Sequence, residues 1–419
     1  MERYSSYKDS GVSWIGEIPS HWEVKKIGSL FVERREKVSD KEYPALSVSK
    51  HGITPQLDTA VKTDNGDNRK KVCKNDFVVN SRSDRKGSCG VSPYTGSVSL
   101  INIVLSPRKN TEIEYYHHLF RSNDYIEEFY RIGRGIVADL WTTRYSEMRN
   151  IYIPLPPSDE QRTIVDYIGD KTSKIDAYVA DKEKEIELLQ ELKQKTIADA
   201  VTKGLNPDAK MKDSGISWIG EIPEQWEVCR MKRVFSEAKE KTTTESGTLL
   251  SLSQYTGITL KDDAKKVGMF EAESTIGYNV VHSGQFVMNI MLAWNGSYAV
   301  SDYEGIISPS YCVFNFNEDC EKKYFHYLLR LPAYAGAFKT MSKGIIESRL
   351  RLYPIYFLAF KTIIPPLNEQ QAIVAYIEKK CEKIDKLASE LQSEIDYLKE
   401  YKQRLIADCV TGQVNVQNI

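Results

Sequence analysis

The sequence predicts an α+β protein: two similar mixed α/β heads separated by two long antiparallel coiled-coil helices, the halves related by a pseudo-two-fold axis. Three observations predict it. First, Lys8-Asp9-Ser10-Gly11-Val12-Ser13-Trp14-Ile15-Gly16-Glu17-Ile18-Pro19 returns as Lys212-Asp213-Ser214-Gly215-Ile216-Ser217-Trp218-Ile219-Gly220-Glu221-Ile222-Pro223. Second, Pro156-Pro157-x-x-Glu160-Gln161 recurs as Pro365-Pro366-x-x-Glu369-Gln370. Third, each Pro-Pro pair opens a charged segment with a narrow apolar stripe at steps of 3, 4 and 7. A repeat of roughly 200 residues is too long for a stacked solenoid unit and suits a duplicated globular domain with an appended helix. The expected boundaries are a first head over 1–155, a first helix over 156–205, a second head over 206–364 and a second helix over 365–419.

Within the heads, Val98–Leu105 and Ile306–Phe314 each read as one strand, and Tyr115–Phe129 and Glu321–Leu331 as short helices. Trp14, Trp22, Trp218 and Trp226 read as core anchors. The first long segment carries Ile164, Ile168, Ile175, Val179, Ile186 and Leu189 on its stripe, and the second Ile377, Ile384, Leu391, Ile395, Leu398 and Leu405. So narrow a stripe is a coiled-coil seam, not the wide face of a helix lying on a large core. Pro157 followed by Ser158-Asp159-Glu160 is a start signal, and Lys203-Gly204 with Pro207 a stop. Some 45 residues at about 1.5 Å each make a rod of roughly 65 to 70 Å. Because a single stripe cannot be left in water, the expected partner is the other copy, and a pseudo-two-fold sends the two in opposite directions.

Composition narrows the class. With 41% hydrophobic and 27% charged residues over 419 positions, the chain has ordinary globular character and length for more than one core. No apolar run approaches the roughly 18 residues of a membrane span, and the polar start is no signal peptide, so the expected location is the cytoplasm. Seven scattered cysteines without a C-x-x-C spacing suggest neither a disulfide framework nor a zinc site. His117-His118 point about 100° apart on a helix and lack a carboxylate cluster, so no metal is expected. The net charge of −1 hides a segregation: the two rods carry 15 basic and 20 acidic residues, which leaves the remainder at +4. Basic heads permit phosphate contacts.

The most useful comparison between the copies is at one loop. Asp76–Asn80 aligns with Gln285–Asn289, and Gly87-Ser88 with Gly296-Ser297, all at an offset of 209. Between these fixed ends the first head has Ser81-Arg82-Ser83-Asp84-Arg85-Lys86 and the second Ile290-Met291-Leu292-Ala293-Trp294-Asn295. Equal length with opposite chemistry is what two readers of different sequences would show, although drift between duplicates gives the same picture and Ile290–Trp294 is apolar enough to be a core strand. Arg82 and Arg85, with Ser83 and Lys86, suit the acceptors of guanine; Asn289 and Asn295 suit adenine; Trp294 suits apolar or stacking contact. Asn80 belongs to the first loop's frame, and Arg69, Lys70 and Lys71 just upstream are candidate phosphate contacts. A second basic strip holds Arg131, Arg134, Thr142, Thr143 and Arg144, answered by Lys339, Lys343, Arg349 and Arg351. There a solvated basic face is the competing reading.

Two heads opening with Trp-x-Gly-Glu-Ile-Pro-x-x-Trp-Glu-Val, each closed by Pro-Pro-x-x-Glu-Gln-x-x-Ile and a long helix, resemble the DNA specificity subunit of type I restriction-modification systems across essentially the whole chain. Tyr303-Glu304-Gly305-Ile306-Ile307-Ser308-Pro309 adds a strand signature of the second head. The resemblance implies two target recognition domains, each reading half of a bipartite asymmetric site in double-stranded DNA, with paired helices fixing the spacer. It also implies two methyltransferase subunits that carry S-adenosylmethionine and modify adenine N6, and restriction and translocation subunits that use ATP and Mg. The chain itself would hold no cofactor and no metal, and would be a guide, not an enzyme. Leu140-Trp141-Thr142-Thr143-Arg144 departs from Arg349-Leu350-Arg351-Leu352, which puts a one-to-one transfer between the heads in doubt there. Independently, there is no Asn-Pro-Pro-Phe or Asp-Pro-Pro-Tyr for amino methylation and no Walker A loop. Gly133-x-Gly135-x-x-Ala138 follows a charged helix instead of a strand, and Ser83-x-x-Lys86 lacks its companion motifs, so both are chance matches. The alternative class is a non-catalytic coiled-coil scaffold without sequence-specific readout.

Overall fold

The computed structural model describes residues 2–57, 66–108, 111–135, 141–253, 257–261, 274–317, 319–346 and 349–417. The chain divides into two compact units, Met1–Lys184 with Leu391–Ile419, and Glu185–Glu390. Each unit is built the same way: one head, the opening stretch of the long helix that follows it, and the closing stretch of the other long helix.

In the first unit a four-stranded antiparallel sheet runs in the order Cys89–Val91, Phe77–Asn80, Asn102–Pro107, Phe31–Glu33. The second unit repeats it as Tyr298–Val300, Phe286–Asn289, Tyr311–Phe316, Phe235–Ala238. The heads are closed by pairing their first Trp-Glu-Val strand with their last: Glu23–Lys26 with Tyr152–Leu155, and Glu227–Arg230 with Lys361–Ile364. One turn before the central strand needs a left-handed backbone. The first head uses Asn75 (φ 70°) and the second Gly284 (φ 83°), the two residue types that tolerate it best.

The stretches read as single strands are each two. Val98 ends the strand Gly96–Val98, Ser99 accepts a turn bond from Asn102 N (3.0 Å), and Asn102–Pro107 enters a different sheet. Likewise Gly305–Ile307 and Tyr311–Phe316 are separated by a turn in which Tyr311 N bonds Ser308 O at 3.0 Å. The stretch Tyr115–Phe129 is two helices, Ile113–Phe120 and Asn123–Arg131, matched by Lys322–Leu329 and Pro332–Met341 in the second head. Their aromatic faces build the cores: Phe31, Phe77, Phe120 and Tyr125 in one head, and Phe235, Phe286, Phe314 and Phe357 in the other, with ring centroids between 4.6 and 6.4 Å. Trp22 and Trp226 are fully buried; Trp14 and Trp218 lie half-buried at the core edge, against Tyr125 and Tyr334.

The long helices span Ser158–Lys203 and Leu367–Val410. Their starts are held by the repeated motif. The Gln161 amide donates to Pro156 O and the Gln370 amide to Pro365 O, both at 2.8 Å. Buried Glu160 accepts from Tyr4 OH (2.5 Å), and Glu369 from the Trp226 indole (2.9 Å). Their last turns dock on a head: Tyr115 OH donates to Val410 O (2.7 Å) in the first unit and Tyr324 OH to Val201 O (2.9 Å) in the second. Within each unit the two helices run antiparallel. Asp176 meets Lys402 (2.6 Å), Glu183 meets Lys399 (3.2 Å) and Lys182 meets Glu394 in the first unit, while Lys193 meets Asp385 (2.7 Å) in the second. The predicted stripes face inward: Ile164, Ile168, Ile377 and Ile395 are wholly buried, while Ile186, Leu189, Ile384 and Leu398 are half-buried. Ile377, however, lies in the core cluster of the second head with Trp226 and Ile363, so the opening of that helix packs on a head and not only along a seam.

Candidate nucleic-acid interface

Each head presents the same two-part device where its central strand ends. Asn80 and Asn289 close their strands, and each side-chain oxygen accepts the backbone N–H two residues on, from Arg82 (3.1 Å) and Met291 (2.9 Å). A single 3₁₀ turn follows, Ser83–Arg85 or Ala293–Asn295. Beside this loop stands a hairpin whose arms exchange both backbone hydrogen bonds, Arg134 with Thr142 and Lys343 with Arg351, all at 2.9 to 3.0 Å. Loop and hairpin are tied by Thr143 N to Ser81 O and by Leu352 N to Ile290 O, both 3.0 Å. Every one of these hydrogen-bonded pairs keeps the offset of 209, while the 3₁₀ turn starts one residue later in the second head. The dissimilar Trp141-Thr142-Thr143 and Leu350-Arg351-Leu352 therefore correspond one to one, contrary to the doubt raised by their sequences; Leu140 lies outside the described residues.

In the first head the device is cationic. Arg82 Nε lies 3.1 Å from Asp84 and Arg85 Nε 3.8 Å from the same carboxylate, with both guanidinium groups open to solvent. Lys86 pairs with Glu127 and lies over the Tyr130 ring at 5.9 Å. Ser83 N bonds Trp141 O at 3.0 Å, Arg134 is largely exposed, and exposed Arg144 immediately precedes the short helix Tyr145–Met148. Thr143 is buried, its hydroxyl donating to Phe129 O (2.7 Å), so it serves the core and not the surface. Gly133 of the chance fingerprint has a packing reason: a Cβ there would collide with the Trp141 indole. Ala138 lies outside the described residues.

The three upstream cations correct the expectation of a phosphate-binding cluster. Arg69 is buried and donates to Ser97 Oγ (2.9 Å) and Ser97 O (3.2 Å); burial pulls its guanidinium below its ordinary basicity. Lys70 sits between Glu33 (3.2 Å) and Asn102 O (2.8 Å), and Lys71 between Glu36 (2.9 Å) and the Tyr43 ring. These residues alternate along the strand Arg69–Val72, and their heads are engaged within the domain, not turned to a partner.

The second head has the opposite chemistry on the same frame. Its loop is no core strand: Met291 and Leu292 are exposed at 36% and 40%, and only Ala293 is buried. Asn289 is buried with its oxygen already used to shape the loop, which removes it as an adenine reader. Trp294 donates from its indole to Met291 O (3.0 Å) beneath Lys339, whose ammonium is 5.5 Å from the ring centroid. Asn295 Oδ1 accepts from Ser297 (3.1 Å). Lys343 lies over Tyr356 at 5.2 Å, Arg349 is exposed, and half-buried Arg351 has its Nη1 enclosed without an acceptor among the described residues. One exchange is specific. In the first head the cation is on the loop (Lys86) and the ring on the helix (Tyr130); in the second the ring is on the loop (Trp294) and the cation on the helix (Lys339). Tyr130, Asp84 and Glu127 escaped the sequence reading, and the 209-residue offset carried into the preceding helix would have found Tyr130 opposite Lys339.

Two heads with one frame and two recognition surfaces, each joined to paired long helices, define a two-headed recognition protein. The sequence profile described as "Type I restriction modification DNA specificity domain" matches residues 19–188. The chain is 25% identical over 433 aligned positions to the type I restriction enzyme MjaVIII specificity subunit of Methanocaldococcus jannaschii, covering 96% of this chain and 95% of that one. It is 23% identical to the putative MjaX specificity subunit of the same organism, covering 96% of both. Two solved structures share the fold. One, from a study of complex assembly and conformational transition of the type I R-M system, has a TM-score of 0.66 at 14% identity and covers 95% of this chain and 99% of that one. The other, the HsdS subunit from Thermoanaerobacter tengcongensis, has a TM-score of 0.51 at 16% identity and covers 95% and 98%. Over nearly its whole length the chain is similar to type I restriction enzyme specificity subunits, and residues 19–188 match the DNA specificity domain of that family.

Proposed function

We propose that each head reads one half of a bipartite, asymmetric site in double-stranded DNA, and that the paired helices fix the spacer between the halves. The observation that carries this reading is the pair of loops, Ser81–Lys86 and Ile290–Asn295, identical in frame and opposite in chemistry. Arg82 and Arg85 offer forks to guanine, and Trp294 with its exposed neighbours offers an apolar surface. The chain is a guide without catalysis of its own. The chemistry belongs to partners: two methyltransferase subunits that carry S-adenosylmethionine and modify adenine N6, and restriction and translocation subunits supplied with ATP and Mg. Two copies of one partner fit a surface that occurs twice. A cleft lined by His21, Glu23, Leu155, Pro156 and Gln161 in one unit has its equivalent at Gln225, Glu227, Ile364, Pro365 and Gln370 in the other. The complex is expected to act in the cytoplasm; among the described residues no helix is long and apolar enough to cross a membrane.

The test is a methylation assay with labelled S-adenosylmethionine and mixed-sequence DNA. The isolated chain is expected to show no turnover, and the chain with its methyltransferase partner to label a single bipartite motif. Turnover by the chain alone would overturn the guide. Binding that ignores salt for every duplex would point to a scaffold instead, because phosphate contacts release counterions.

A further inference from the structure

We propose that the hairpin tip of the second head, Ile345 with Ile346, is an apolar reading element that enters the major groove and packs on thymine methyl groups of the second half-site. This rests on the reading of the chain as a DNA reader. Ile345 is wholly exposed and Ile346 53% exposed, yet the arms that carry them are tied to each other and to the core. The hairpin's arms are locked by the two Lys343–Arg351 backbone bonds, and Arg349 N bonds Ile346 O at 2.9 Å. A Cβ at Gly344 would lie 2.5 Å from Arg349 O, so only glycine lets the strands approach this closely. Buried Ser342 donates to Phe338 O (2.8 Å), Lys343 rests on Tyr356, and Leu352 is fully buried.

A scattered exposed isoleucine needs no explanation, but two at the tip of an anchored hairpin, with Lys343, Arg349 and Arg351 on its arms, form an apolar point on a cationic stem. The complementary surface has an anionic rim and an apolar centre, which is a DNA groove between its phosphates. A two-armed ribbon fits the roughly 12 Å major groove and not the roughly 6 Å minor groove, and the apolar feature of the major groove is the thymine methyl group. The loop tied to this hairpin adds exposed Met291 and Leu292 to the same chemistry.

The test uses the full chain and a duplex that it selects from a randomised library, then the same duplex with deoxyuridine replacing each thymine of the second half-site in turn. At least one replacement should weaken binding about fourfold, the effect of one methyl group. Ile345→Ala should weaken the selected duplex on the order of tenfold without changing the salt slope, Ile345→Leu should restore most of it, and Ile345→Ala with deoxyuridine should lose less than the product of the two. A second half-site without thymine would overturn the inference. So would Ile345→Ala binding unchanged, Ile345→Ala weakening while deoxyuridine changes nothing, or Ile345→Ser altering only the oligomeric state. If the library yields no preferred duplex at all, the DNA-reading function itself falls.

Discussion

Arg82 and Lys70 show how one residue type divides between surface and core. Both are basic residues near the variable loop, but Arg82 projects to solvent beside Asp84, whereas Lys70 is held by Glu33 and the Asn102 carbonyl. Arg82→Ala is therefore expected to relax one position of the first half-site at a cost of about 1 to 3 kcal/mol in binding, measured by competition between single-base variants of the site. Lys70→Ala should instead destabilise the first head by on the order of 1 to 2 kcal/mol, because it strips the Asn102 carbonyl of its donor and leaves nearly buried Glu33 with the exposed Arg35 alone, while leaving sequence preference intact. His282 gives a pH dependence at the same scale. Its ring nitrogens lie 2.9 Å from Glu240 and 2.8 Å from Glu304, which raise its pKa above the ordinary 6.5. A raised histidine stabilises the fold fully below its unfolded value and loses that contribution as pH climbs through the native one. The melting temperature of the native chain should exceed that of His282→Gln near pH 6, and the gap should close towards pH 8. A gap that widened with pH would contradict the assignment.

Elements were legible in proportion to how far periodicity alone defines them. The long helices read clearly because their Ile and Leu stripes recur at 3 and 4 over more than forty residues, and Ile164, Ile377 and Ile395 are buried as that pattern requires. The strands read less well. Val98–Leu105 is apolar on both sides of its turn, so hydrophobicity runs straight through the reversal at Ser99, which only the Asn102 N–Ser99 O bond reveals. The helix pair was fused for a similar reason, since the break near Ser122 lies between two aromatic faces that bury into one core. At the site, composition located the loop, but it could not show that Asn289 points its oxygen at its own backbone or that Arg69 is enclosed. The seam should outweigh the charges along it. Ile395→Ala is expected to cost about 2 to 5 kcal/mol by leaving a cavity, and Lys402→Ala less than about 1 kcal/mol, since its partner Asp176 is exposed. Tyr324→Phe, which strips the Val201 carbonyl of its buried donor, should fall between them at about 1 to 3 kcal/mol, read from denaturant midpoints at constant slope.

At the scale of the whole molecule, duplication explains both what is constant and what varies. The motifs that start the long helices, receive their last turns and close the heads are the same in each unit, down to Tyr115 with Val410 and Tyr324 with Val201. The recognition loops, on the same frame, exchange cation for ring and arginine for apolar side chain. Constancy suits a partner that binds twice, and divergence suits a target whose halves differ. The central claim is that the helices set the spacing between two independently read half-sites. Its most direct measurement is the methylome of cells carrying the chain with four residues inserted after Glu187 and four more after Glu390, beside the unaltered chain. Each insertion lengthens a rod by roughly 6 Å, close to two base pairs. The account predicts that both half-sites persist and the spacer between them grows by one or two base pairs; new half-sites with an unchanged spacer would contradict it.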